Sequence, residues 1–225
     1  MTAIEDAGRN VDSRVAIDHL LSTTRSVRRR LDVARSVDRA AVEECLQLAL
    51  QAPSASNGQT WFWSLVDDPR TRTLLAEIYS DCWAKYRRLQ ERRRTAMAAP
   101  DAEALDRLLF SGDTLTAKMA DVPVLVVPCV RGRLSDSPTL LETASYFGSI
   151  FPAVWSLQLA LRSRGFGSVL TTIHLWRADD VAQILQLPAD ATQCGLLPVA
   201  YTIGTDFRPA HRLPVSEVST WANSG

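Results

Sequence analysis

Apolar positions along the chain recur at helical spacing in some stretches and bunch into short strand-like runs in others. Val15, Leu20 and Leu21 lie on a short predicted helix, Val15 to Leu21, which runs into the polar, arginine-rich loop Ser22–Arg30. Asp38 then offers an N-cap, with Val37 and Val42 at the two positions of a hydrophobic staple. Val42, Leu46, Ala49 and Leu50 continue that helix, and Pro53 ends it near Gln51. Trp61–Val66 is rich in strand formers, and Asp67-Asp68-Pro69 turns into a further helix with Pro69 in its first turn.

Residues 80–119 are heavily charged and predict a helical hairpin, broken at Ala99-Pro100-Asp101, that can act as a variable cover over a binding site. Val122–Val130 is an almost continuous apolar run, as a central strand requires, with Pro123 and Pro128 expected at its ends or at bulges. A long helix over Leu140–Ser163, a strand near Ser168–Thr172, a short helix at Asp179–Leu185 and a strand at Gly195–Ile203 follow, and a proline-rich tail ends the order. Helices and strands without regular alternation predict an α+β sandwich.

The length of 225 residues is that of one domain spanning 1–225. Apolar residues at 46% and charged residues at 22% are globular values. Lys plus Arg equals Asp plus Glu, which argues against a nucleic-acid or anionic-membrane partner. Cys45, Cys82, Cys129 and Cys194 form no CxxC pair, and His19, His174 and His211 are dispersed, so no metal site is expected. The first residues lack the apolar core of a signal peptide, and the expectation is a cytoplasmic protein. Thr143–Leu161 carries no charge, yet its serines, Gln158, Gly148 and Pro152 dilute it. A helix in the core or in a subunit interface fits it better than a membrane span.

Three segments carry candidate chemistry. In Thr24-Arg25-Ser26-Val27-Arg28, two forked guanidinium groups and a hydroxyl suit a phosphate, although solvated surface charge has the same look. In Ala52–Trp61, small and amide side chains link a helix to an aromatic strand; the loop allows close approach to a flat polar ring, and it is also an ordinary connection. In Phe207–Pro214, an arginine can complete a phosphate site begun at Arg25, or simply belong to a charged tail. A Walker loop, a dinucleotide fingerprint and a GxSxG elbow are all missing from the sequence.

TRSVR, APSASNGQTW and HRLP, in that order and spacing, together with GFGSVLTT at Gly165–Thr172, resemble the FMN-dependent nitroreductase family. The likeness runs from about Leu20 to Pro214 and is weakest over residues 80–119. It implies an α+β sandwich with a central, mostly antiparallel sheet flanked by helices, in an intertwined homodimer with FMN at the subunit interface. Carried over by motif, Arg25, Ser26 and Arg28 would bind phosphate, ribityl chain and ring edge, and Arg212 would complete the phosphate site. Pro53, Ser54, Ala55 and Asn57 would reach the flavin from the partner subunit, while the backbone at Leu170, Thr171 and Thr172 would face the ring. The sequence departs from the family pattern at Thr24, Thr60 and Ala210.

The resemblance further implies a ping-pong oxidoreductase. NADH or NADPH would deliver hydride to the flavin, and a nitroaromatic, a quinone or a similar electron-poor acceptor would take it from the same face. No protein nucleophile is expected, and Arg28 is the candidate for stabilising charge on the reduced ring. A specialised family member that dehalogenates, oxidises or breaks down flavin is the alternative, with Trp83, Tyr86 and Phe110 as candidate substrate contacts. A non-catalytic flavin-binding dimer is a second one.

Overall fold

In the computed structural model, which describes residues 3–222, the chain begins with helix α1 (Ala3–Thr23). This helix begins well before the predicted one. Thr23 and Thr24 close it by donating to the carbonyls of His19 and Leu20 at 2.7 and 2.6 Å. Residues up to Thr24 and those from Asp206 on form one unit, and Arg25–Thr205 forms a second. The first unit also holds the one-turn helix α7 (Val215–Val218).

The larger unit is built on strand β3 (Val124–Arg131), whose residues from Val124 to Val130 are all buried. β2 (Trp61–Val66) runs antiparallel to it along its whole length, from Trp61 opposite Val130 to Val66 opposite Leu125. β6 (Leu197–Thr202) pairs with β3 at Val124–Val126, and β5 (Ala191–Gln193) pairs with it at Cys129–Arg131. β1 (Leu31–Asp32) and β4 (Phe166–Ser168) both pair with β6. All these pairings are antiparallel, and helices flank the sheet.

Pro128 sits inside this central strand, not at an end or a bulge. Its carbonyl accepts from Cys194 N–H at 2.8 Å, so its nitrogen faces the edge shared by β5 and β6. There the ladder passes from one partner to the other, and no donor is needed. A second proline shapes β4. Register places Pro198 opposite Val169, where it has no N–H to give, and the ladder breaks after Ser168. Pairing resumes at a single bridge between Thr171 and Leu196, so the strand predicted over Ser168–Thr172 is displaced to Phe166–Ser168.

The helices carry clear signals. α2 (Arg39–Ala49) has Asp38 as N-cap, accepting from Ala40 N–H at 3.1 Å, and buries Val42, Cys45 and Ala49. α5 (Leu140–Ser163) starts from a full capping box between Thr139 and Glu142. Its Ile150, Val154, Leu157 and Leu161 pack with Val42, Val126, Leu197 and Val199 in one core cluster. Each such side chain contributes about 1.5–3 kcal/mol relative to exposure. Among the described residues, no helix is long and apolar enough to cross a membrane. The hairpin is α3 (Pro69–Arg94) and α4 (Ala99–Lys118). Its break falls at residues 95–98, and Pro100 stands inside the first turn of α4, where the missing N–H costs nothing. The last helix of this unit, α6 (Ala178–Ile184), follows a 3-10 turn at Ile173–Arg177.

Candidate active site

The bridge at Thr171 has a consequence for its neighbours. Thr171 exchanges both backbone bonds with Leu196, at 3.0 and 2.8 Å, so along an extended chain the N–H groups of Leu170 and Thr172 point the other way. Neither has a hydrogen-bond partner among the described residues. Leu170, Thr171 and Thr172 line a cavity of about 230 Å³, into which the half-buried Arg28 also faces. Arg28 is positioned by its neighbour: Val27 is buried and donates its N–H to Ser168 at 2.9 Å. Gly167 is required beside it, because a Cβ there would come within 2.8 Å of Val27.

A second wall comes from the charged hairpin. Tyr79, Trp83 and Tyr86 recur at helical spacing on one face of α3, and all three line the cavity. The Trp83 and Tyr86 rings are tilted against each other at 5.4 Å. Gly112 of α4 lets the indole lie against the helix backbone; a Cβ at that position would sit inside the Trp83 ring. Trp83 Nε1 donates to Asp113 at 2.8 Å, and Arg87 pairs with the other oxygen of the same carboxylate. Burial alone would raise the Asp113 pKa, but the Arg87 and Trp83 hydrogen bonds hold it below the usual carboxylate range. The carboxylate therefore stays charged and keeps the indole in place.

Tyr79 is 3% exposed, and its Oη lies 3.3 Å from Thr171 Oγ1. Burial pushes its hydroxyl above the ordinary tyrosine value, while the Thr171 hydrogen bond and the charge of Arg28 pull it down. The cavity therefore combines one fixed cation, two unspent N–H donors and a hydroxyl pair with a largely aromatic wall. It can hold a flat, acceptor-rich ring.

The other expected site residues lie elsewhere. Arg25 is half-buried and Ser26 exposed, and neither lines this cavity. Pro53, Ala55 and Asn57 are exposed and Ser54 is half-buried, in a loop pinned to α5 by Ala55 N–H donating to Ser149 Oγ at 2.9 Å. Ser56, Asn57 and Gln59 there have φ of 50, 52 and 46°, in the left-handed region. With Thr60, Arg131, Tyr146 and Ser149, Ala55 borders a separate hollow of about 320 Å³. Arg212 belongs to the terminal unit, where it is exposed and donates to the His211 carbonyl at 2.9 Å.

Of the proposed substrate contacts, Trp83 and Tyr86 line the same cavity as Arg28, whereas Phe110 lies under the Arg29 guanidinium at 5.0 Å and is 57% exposed. Lys85 sits over Trp176 at 4.6 Å, outside the cavity. Tyr79 and Gly112 are site residues that sequence reasoning did not select. A glycine within a helical pattern was the available signal for close packing at Gly112. Among the described residues no cluster of His, Cys, Asp and Glu is arranged to hold a metal ion.

A sequence model of the nitroreductase family matches residues 21–201. The chain belongs to that family. It is 28% identical to a 5,6-dimethylbenzimidazole synthase of Rhodospirillum rubrum over 92% of this chain and 90% of that one. It is 27% identical to an NADH dehydrogenase of Thermus thermophilus over 88% of this chain and 91% of the relative. An FMN-dependent nitroreductase of Mycobacterium smegmatis, solved in complex with NADPH, has the same fold. It superposes with a TM-score of 0.67 at 21% identity, covering 93% of this nitroreductase-family chain and 99% of the other.

Proposed function

We propose that the chain is an FMN-dependent NAD(P)H oxidoreductase that serves electron-poor acceptors such as nitroaromatics or quinones by a ping-pong scheme. The observation that carries this reading is the donor set of the cavity: Arg28 and the unpartnered N–H groups of Leu170 and Thr172, facing the aromatic wall of α3. A flavin ring is flat and carries acceptor atoms along its edges, so its chemistry fits these donors. When bound, FMN supplies the centre that accepts and passes on hydride, and the chain needs no nucleophile of its own.

In this reading Arg28 grips the ring edge, and its permanent charge favours the anionic reduced ring. Leu170, Thr171 and Thr172 orient the ring through their backbone. Arg25 and Ser26 hold the phosphate and ribityl chain. Pro53, Ser54, Ala55 and Asn57 act on the flavin of a second copy. The exposed faces of Phe151 at 37% and Trp155 at 44% on α5 support such a homodimer, because that helix is uncharged from Thr143 to Leu161.

The similarity to 5,6-dimethylbenzimidazole synthase favours a second reading, a specialised flavin-dependent reaction at the same cavity. One experiment separates the readings. Purified protein is loaded with FMN, desalted, and mixed anaerobically with NADH or NADPH. A retained flavin band that bleaches, with reoxidation by a quinone or nitroaromatic, is the expected result. Retention without bleaching favours the specialised reaction or a flavin carrier. Loss of the flavin on desalting refutes the cofactor assignment.

A further inference from the structure

We propose that Tyr79 is the proton donor to the acceptor in the oxidative half of the reaction, an inference that rests on the functional reading above. Tyr79 Oη and Thr171 Oγ1 make one hydrogen bond, to each other, and no other among the described residues. Two hydroxyls hold two protons, and a single bond uses one, so one O–H proton is left over at the wall of the cavity. The pair lines the same cavity as Leu170, Thr172 and the cation Arg28. Tyr86, the cavity's other phenol, makes no hydrogen bond among the described residues.

The proposed acceptors need such a donor. A quinone that takes hydride from the reduced cofactor gains two electrons and one hydrogen, and it becomes a hydroquinone only when an oxygen also gains a proton. A nitro group likewise needs hydride plus one proton to give nitroso and water. In either case the Tyr79 O–H bond breaks and a new O–H bond forms on the acceptor oxygen. The cofactor is oxidised and the acceptor reduced. Tyrosinate is reprotonated from water through the Thr171 hydroxyl. Burial keeps Tyr79 protonated between turnovers, and the neighbouring Arg28 charge eases the brief loss.

The test uses the FMN-loaded protein, reduced anaerobically by nicotinamide and then mixed in a stopped-flow instrument with one of two acceptors. A quinone requires a proton, whereas ferricyanide takes single electrons and no proton. Tyr79→Phe is expected to slow the quinone step by about 100-fold, the lower end of general-acid effects, with a far smaller change for ferricyanide. The wild-type quinone step should also slow in D2O, and the ferricyanide step should not. Thr171→Val, which keeps the phenol and removes the relay, should show the same selectivity more weakly. Equal slowing with both acceptors, or an unchanged quinone rate in Tyr79→Phe, overturns the assignment. Failure to retain FMN, or to be reduced by either nicotinamide, overturns the functional reading and this inference with it.

Discussion

Replacing His174 with leucine should make the protein markedly more resistant to acid. His174 follows the cavity's Thr172 by two residues, in the 3-10 turn, and it is 1% exposed. Among the described residues neither ring nitrogen has a hydrogen-bond partner. Burial lowers its pKa from 6.5 to about 4; Gln193 lies close enough to offset part of that, although its own Oε1 is unbonded. Above the unfolded pKa both states are neutral and the group contributes no pH dependence. As the pH falls, the unfolded chain takes a proton that the folded one refuses, and stability is lost until the pH passes the folded pKa. The shift from 6.5 to about 4 corresponds to roughly 3.4 kcal/mol in full, of which about 2.5 kcal/mol is already lost near pH 4.5. Leucine has nearly the volume of histidine and does not titrate, so this loss disappears.

Urea unfolding near pH 7 and near pH 4.5, at one protein concentration, measures the difference. The stability gap between His174→Leu and wild type should widen by about 2.5 kcal/mol between the two pH values. At neutral pH the variant should equal or exceed wild type, because two unsatisfied buried nitrogens are removed. Parallel pH dependences would instead mean that His174 either charges in the folded state or is neutral in both.

Three further outcomes follow from the packing. Gly112→Ala forces Trp83 out of its seat and should cost about 1–3 kcal/mol, visible as a lower Tm and altered indole fluorescence; an unchanged Tm contradicts the close approach. The buried thiols of Cys129 and Cys194, pushed up to about 12 and 11 by burial, should stay inert to a disulfide reagent near pH 8 until the protein is unfolded. Labelling of either in native protein would show that the core opens. Thr139→Ala removes half of the capping box and should cost about 1 kcal/mol in urea melts, with no cost if water replaces the cap equally well.

The elements visible in the sequence were those with local causes. Asp38 with Val37 and Val42 announces α2, and the aromatic run Trp61–Val66 is β2 residue for residue. The long apolar run marks α5 over Leu140–Ser163, and its capping box of Thr139 and Glu142 emerges only from the structure. β1 and β5, of two and three residues, carry no local pattern, since they exist through distant partners on β6 and β3. The two misjudged strand segments trace to prolines: the partner change at Pro128 and the missing donor of Pro198 are facts of register.

The candidate site divides in a similar way. Arg28 and Leu170–Thr172 were legible through motif order, and they line one cavity. Tyr79 and Gly112 were not, because their role depends on how α3 and α4 cross, which the charged pattern of the hairpin leaves open.

In the proposed function the cavity of Arg28, Leu170 and Thr172 holds a flavin ring. The most direct test is a titration of apo protein with FMN followed by flavin fluorescence, in wild type and in Arg28→Ala, each checked for folding by circular dichroism. Saturable binding is expected in wild type, and at least about tenfold weaker binding in the folded variant, the loss expected for one charge-assisted contact of roughly 1.5–3 kcal/mol. Saturable binding of equal strength in both proteins, or none in wild type, would contradict that function.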